Sequence, residues 1–117
     1  MTLCSVIIPH WNGVEHLEVC LSSLRRQIFE DFEVILVDNG SNDGSQEFVR
    51  SSFPEVRLLE LGSNRGFTGA CNAGYEVSKG EFVILLNNDT EADPGWLSAV
   101  TGAFQRHPEV GIVASKI

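Results

Sequence analysis

Residues 80–90 read GEFVILLNNDT. Phe82 to Leu86 are apolar without interruption, with Gly80 before them and two asparagines and an aspartate after. A run this short, between such punctuators, predicts a strand rather than a helix. Because no polar residue alternates through it, the strand is expected to be central and buried on both faces, as in a parallel sheet covered by helices. Working outward from it, Cys4 to Ile8 is a similar run stopped by Pro9, and Phe32 to Val37 is another, ending in the loop 38–44. Val56 to Leu61 carries Arg57 and Glu60, which places it at a sheet edge. A last strand is expected over Val110 to Ala114.

Between these runs lie amphipathic stretches. Val14 to Ile28 sets Leu17, Cys20, Leu21, Leu24 and Ile28 on one helical face, with Asn12 as the expected cap and Glu15 as its capping-box partner. Ser45 to Ser52 forms a short helix with Asp43 as cap and Gln46 at the third position. Phe67 to Ser78 is a helix ended by Gly80, and Pro94 to Arg106 is a helix capped by Asp93 that packs Leu97, Val100 and Phe104. This alternation gives an α/β fold, a mostly parallel sheet with helices on both faces and strand order 3-2-1-4. The order reverses between strands 1 and 4, and ligands of such sheets bind there, outside the carboxyl ends of the strands.

The chain has 117 residues, which allows one domain. With 43% hydrophobic and 21% charged residues the composition is globular, and no apolar run reaches the ~20 residues of a membrane span. The net charge of −8 argues against nucleic acid as a partner. Cys4, Cys20 and Cys71 are odd in number and contain no CxxC, so neither a disulfide framework nor a zinc site is expected, and a reduced cytosolic setting follows.

Polar and glycine residues gather at the expected carboxyl rim. Asp89 is placed either to hold a divalent cation through one carboxylate or to cap a turn. Asp38 is placed either to accept a hydrogen bond from a base or ribose or to make an Asx-turn. Arg65 stands at a helix start, where it either pairs with an anion or remains a surface side chain. Gly66 lets a ligand or a backbone approach closely, whereas tight helix packing is sufficient reason for Gly69 and Gly74. Trp11 either walls a pocket or packs. His10 has no partner at catalytic spacing, and His16 and His107 read as surface residues. No GxGxxG follows strand 1, and neither a P-loop nor a nucleophile elbow occurs. The run from Asn39 to Gly44 mimics a calcium loop, but its twelfth position is Arg50 where a glutamate is required. A receiver-like regulatory domain would need paired acids after strand 1, and a nucleotidyltransferase a glycine-rich basic loop there. Pro9-His10-Trp11-Asn12 supplies neither.

Four segments in order, SVIIPHWNG (5–13), FEVILVDNGSNDGS (32–45), NRGFTGACNAG (64–74) and GEFVILLNNDT (80–90), resemble the family 2 glycosyltransferases of the GT-A fold, most closely a rhamnosyltransferase-like branch. The resemblance implies a GT-A Rossmann-like sheet, a dTDP- or UDP-sugar donor, Mg²⁺ or Mn²⁺, and inverting transfer to a glycan or lipid-linked acceptor. On the matching positions Pro9 lines the base pocket and Asp38 contacts base or ribose. Arg65 and Gly66 approach the nucleotide, Asn88 lies near the ribose and diphosphate, and Asp89 ligates the metal. Asn39 and Asn87 stand where many members have aspartates, and fewer carboxylates attract a cation less strongly. The family's catalytic base lies further along than this chain reaches. Residues 1–117 are therefore expected to be the nucleotide-sugar-binding N-terminal part, truncated after the fifth strand, without the acceptor-binding part and inactive alone. An edge left bare by truncation would favour self-association. The full enzyme is expected in the cytoplasm, at the inner face of the membrane. The alternative reading is a non-catalytic nucleotide-binding or regulatory α/β domain.

A diphosphate brings about two negative charges to a rim bearing Asp38 and Asp89, and repulsion at 4–6 Å costs on the order of 1–4 kcal/mol per pair. A divalent cation reverses that sign.

Overall fold

The computed structural model describes residues 3–106 and 112–115. Its elements are β1 (Cys4–His10), α1 (Val14–Arg25), β2 (Phe32–Asp38), α2 (Ser45–Ser52), β3 (Arg57–Glu60), α3 (Gly66–Val77), β4 (Phe82–Leu86), α4 (Trp96–Arg106) and β5 (Ile112–Ser115). Every neighbouring pair of strands is parallel, and the order is β3-β2-β1-β4-β5. The expected order 3-2-1-4 is observed, with the edge position of β3 and the reversal between β1 and β4. His107 and the expected strand residues Val110 and Gly111 lie outside the described residues.

Strand periodicity divides the core. Cys4, Val6 and Ile8 of β1 and Leu36 of β2 face Leu17, Leu21 and Leu24 of α1, Val49 of α2 and Leu97 and Phe104 of α4. Ile7, Ile35, Val37 and Val83 point to the opposite face, against Ala70 of α3. Both faces are covered, so the strands need apolar side chains at successive positions. Gly74 lets α3 settle on this second face, since a Cβ there would lie 2.7 Å from Ile7 Cγ2 and 3.0 Å from Val37 Cγ2.

Several local boundaries differ from the sequence reading. β1 does not stop at Pro9 but runs through it to His10. Even-numbered β1 residues bond towards β2, as the Asn39 amide donating to the His10 carbonyl shows, so Pro9 faces β4. Pairing with β4 has already ended at Ile7 and Leu85, and the missing proline N–H costs no ladder bond. The N-cap of α1 is Gly13, not Asn12, and no side chain of its own segment caps it. The Asn12 side chain instead accepts from the Asn42 amide. Helix α1 ends at Arg25 rather than Ile28, which is 73% exposed. The cause is Gln27, whose buried amide donates to the Ser23 and Asp93 carbonyls and accepts from the Leu97 amide, tying the end of α1 to the start of α4. Helix α3 ends at Ser78 in extended conformation, not at Gly80. Gly80 serves close approach: a Cβ there would lie 2.5 Å from Ser5 N and 2.6 Å from Cys4 C.

Candidate functional site

The carboxyl ends of β1, β2 and β4 and the β3–α3 loop surround an open cleft of about 520 Å³ at the strand-order reversal. Pro9 and His10 come from β1, Trp11 from the β1–α1 loop and Asn39 from the end of β2. Asn64 comes from the β3–α3 loop, Gly66 and Phe67 from the start of α3, and Asn87, Asn88 and Asp89 from the loop after β4. Trp11 and Phe67, 54% and 59% exposed, offer aromatic surface from the β1–α1 loop and the start of α3. A smaller hollow of about 280 Å³ lies at the other end of β2, beside the Arg25–Glu55 ion pair.

Four sequence-nominated residues meet in this cleft: Pro9, Gly66, Asn88 and Asp89. Asp89 is exposed, so its turn is open to an ion. Two nominated residues do not line it. The Arg65 guanidinium turns back to the Leu61 carbonyl at 3.4 Å, while the Arg65 backbone amide is held by Asn39. Asp38 is 1% exposed. Its Oδ2 accepts from the Ser41 amide at 3.0 Å and from Gln46 Nε2 at 2.8 Å, and its Oδ1 is buried with no hydrogen-bond partner. Gln46 thus serves Asp38 and the Ser41 carbonyl rather than a capping box.

Asn39 is more than a missing aspartate. Its Oδ1 accepts from the Arg65 amide at 3.0 Å, and its Nδ2 donates to the Gly66 carbonyl at 3.1 Å. An amide presents both a donor group and an acceptor and so satisfies both partners, whereas an ionised carboxylate only accepts; Asn39 thus staples the β3–α3 loop to the end of β2.

His10 was not nominated, yet it is 2% exposed with both ring nitrogens bonded. Nε2 lies 2.8 Å from Ser45 Oγ and Nδ1 lies 2.8 Å from Asn88 Nδ2. Burial lowers its pKa, outweighing the nearby carboxylates Asp38 and Asp43, so the ring is neutral at neutral pH. Its partners stand 35 and 78 residues away, and no local pattern announces them. Asp43 belongs to the same network. Burial works to raise its pKa, but the Ser45 hydroxyl and the amides of Val14, Gly13 and Ser45 overcome this and hold it at about 2.

Among the described residues the lining therefore contains one carboxylate, Asp89, a buried imidazole, His10, and no lysine or arginine. Among the described residues no group of three or more His, Cys, Asp or Glu forms a metal cage. One exposed carboxylate beside two asparagine amides is a hard-oxygen donor set. It fits Mg²⁺ or Mn²⁺ shared with substrate oxygens rather than an ion enclosed by protein alone.

Comparison with known proteins gives these features a context. The sequence model of glycosyl transferase family 2 matches residues 5–117. The glycosyltransferase AglE of Haloferax volcanii is 34% identical over 98 residues, covering 80% of this chain and 32% of AglE. An N-acetylglucosaminyl-diphospho-decaprenol L-rhamnosyltransferase of Mycobacterium tuberculosis is 34% identical over 124 residues, covering 96% of this chain and 40% of that protein. Among solved structures, S. aureus TarS 1–349 in complex with UDP superimposes with a TM-score of 0.82 at 26% identity, over 92% of this chain and 33% of TarS 1–349. The mannosyltransferase PcManGT of Pyrobaculum calidifontis, in complex with GDP-Man and Mn²⁺, gives 0.80 at 26% identity, over 86% of this chain and 32% of that one. The α/β sheet described above is thus the GT-A fold. The chain spans about a third of the length of the curated relatives it matches.

Proposed function

The chain belongs to glycosyl transferase family 2, and from that premise we propose that its cleft binds the nucleoside diphosphate of a sugar donor together with a divalent cation. Residues 1–117 then supply the donor side of a transfer that inverts the sugar onto a glycan or lipid-linked acceptor, and the acceptor-binding part and the catalytic base belong to a longer protein. The observation that carries this reading is the exposed Asp89 in a cleft at the strand-order reversal whose lining, among the described residues, has no lysine or arginine. A diphosphate placed there meets a negative charge, so a bridging cation is what makes its binding favourable. Mg²⁺ or Mn²⁺ held by Asp89 would neutralise the diphosphate and stabilise it as a leaving group.

The protein's own groups have distinct tasks. Pro9 and the exposed face of Trp11 wall the base. Asp38 stands behind the lining, where its Oδ2 holds the Ser41 amide and Gln46. Gly66 brings the β3–α3 backbone to the nucleotide, Arg65 flanks the same loop, and Asn88 lies at the ribose. The UDP and the GDP-Man with Mn²⁺ named for the two structural relatives support this class of ligand. A cytoplasmic enzyme working at the inner face of a membrane is consistent with lipid-linked acceptors, such as the undecaprenyl-phosphate named for an Aeromonas hydrophila relative. Among the described residues no helix is long and apolar enough to cross a membrane.

Calorimetry of the chain with UDP, dTDP and GDP, each in Mn²⁺ and in EDTA, tests the proposal, with FMN and NAD as controls. Binding of at least one diphosphate in Mn²⁺ that is lost in EDTA is expected. Equal affinity in both removes the cation from the account. Binding of the controls alone favours a different nucleotide-binding domain.

A further inference from the structure

The hydrogen bonds that end at Asn88 have a direction, and donor counting fixes it. Asp43 is ionised at neutral pH and accepts only. Its Oδ2 takes the Gly13 and Val14 amides, and its Oδ1 takes both the amide and the hydroxyl of Ser45. A hydroxyl has one proton. With that proton committed to Asp43, Ser45 Oγ accepts from His10 Nε2. A neutral imidazole carries one N–H, so Nδ1 is left as an acceptor and Asn88 must turn its NH₂ group inward to meet it. The Asn88 carbonyl oxygen has no partner among the described residues and is not sealed from solvent. Water does not readily reset this chain, because His10 and Ser45 are both buried.

We propose that His10 is a positioning residue that holds Asn88 with its carbonyl oxygen towards the cleft, where it accepts a ribose hydroxyl of the donor nucleotide. The opposite amide orientation would place a second donor in the cleft, suited to a phosphate oxygen instead. Asp43, which is not among the residues lining the cleft, thereby decides the polarity of a group inside it. The assignment of the hydroxyl rests on the nucleotide reading given above; the orientation of the amide does not.

Two measurements separate these parts. In the ligand-free ¹⁵N-labelled chain, two-bond ¹H–¹⁵N spectra report each imidazole tautomer, with signals assigned by comparison with His16→Gln and His107→Gln. His10 is expected as the Nε2–H form, and the Nδ1–H form overturns the proposal. In the second, UDP is compared with its 2′-deoxy and 3′-deoxy analogues by calorimetry in Mn²⁺. At least one analogue is expected to bind roughly five- to tenfold more weakly, the size of one hydrogen bond. Ser45→Ala, which keeps His10 and touches no ligand, is expected to reduce that ratio towards one, and Ser45→Thr to restore it. An unchanged ratio in a folded Ser45→Ala chain overturns the assignment of the hydroxyl. If UDP fails to bind at all, the functional reading falls with it, while the tautomer measurement still upholds or overturns the fixed amide.

Discussion

Asp43 caps α1 from 30 residues downstream of Gly13: its Oδ2 lies 2.7 Å from the Gly13 amide and 3.0 Å from that of Val14. The same carboxylate meets the Ser45 amide with its other oxygen at 3.1 Å, at the start of α2. Two helix starts thus share one acceptor. Replacing Asp43 with Ala should destabilise the chain by roughly 1–3 kcal/mol, since one lost cap costs about 1 kcal/mol and here two are lost. Urea unfolding measures this, and a loss below about 0.5 kcal/mol would show that water substitutes for the carboxylate.

The same group sets an acid limit. Its pKa is depressed from 3.8 to about 2 in the folded chain, so the folded state favours the ionised form. Its contribution to stability is complete above pH 3.8 and disappears as pH falls through about 2. Melting temperature should therefore drop across that window and drop less steeply in Asp43→Ala. Parallel curves for the two proteins would refute the assignment.

Asn39→Asp tests the staple on the β3–α3 loop. A carboxylate still accepts from the Arg65 amide but opposes the Gly66 carbonyl, to which Asn39 donates. The expected cost is about 1–3 kcal/mol, and the Arg65 and Gly66 amides should exchange with deuterium faster. Unaltered exchange would mean the loop is held by other contacts.

Asp89→Asn keeps the shape of the cleft and removes the one carboxylate that lines it among the described residues. UDP affinity in Mn²⁺ should fall on the order of tenfold or more, about 1.4 kcal/mol per decade, while affinity in EDTA stays the same or rises. Retained Mn²⁺ dependence would move the cation to another residue.

Gly80→Ala should destabilise by roughly 1–3 kcal/mol, because the new methyl meets the backbone at Ser5 N and Cys4 C. Thermal unfolding reads the change. A neutral result would mean that the turn before β4 shifts at no cost.

What the sequence revealed follows from the range of the forces involved. β1, β2 and β4 were legible because burial on both faces imposes unbroken apolar runs, and their order followed from β3 bearing Arg57 and Glu60. The placement of Asn88 and Asp89 at the strand-order reversal was legible for the same reason. The caps were not. Asn12 and Glu15 formed a plausible local signature, but Asp43 reached the helix first through space. His10 was passed over because its partners belong to strands and helices remote in the chain. The burial of Asp38 was likewise invisible, since it depends on Ser41 and Gln46 folding over one oxygen.

β1 sits in the middle of the sheet, between β2 and β4, both of which are made after it. On the ribosome, β2 and β3 can add to one flank early, but His10 waits without its second neighbour until the chain has grown past Asn88. Nascent chains halted before that point would present an unfinished, sticky flank to chaperones, and ligand capture should begin abruptly, rather than gradually, as elongation passes the fourth strand.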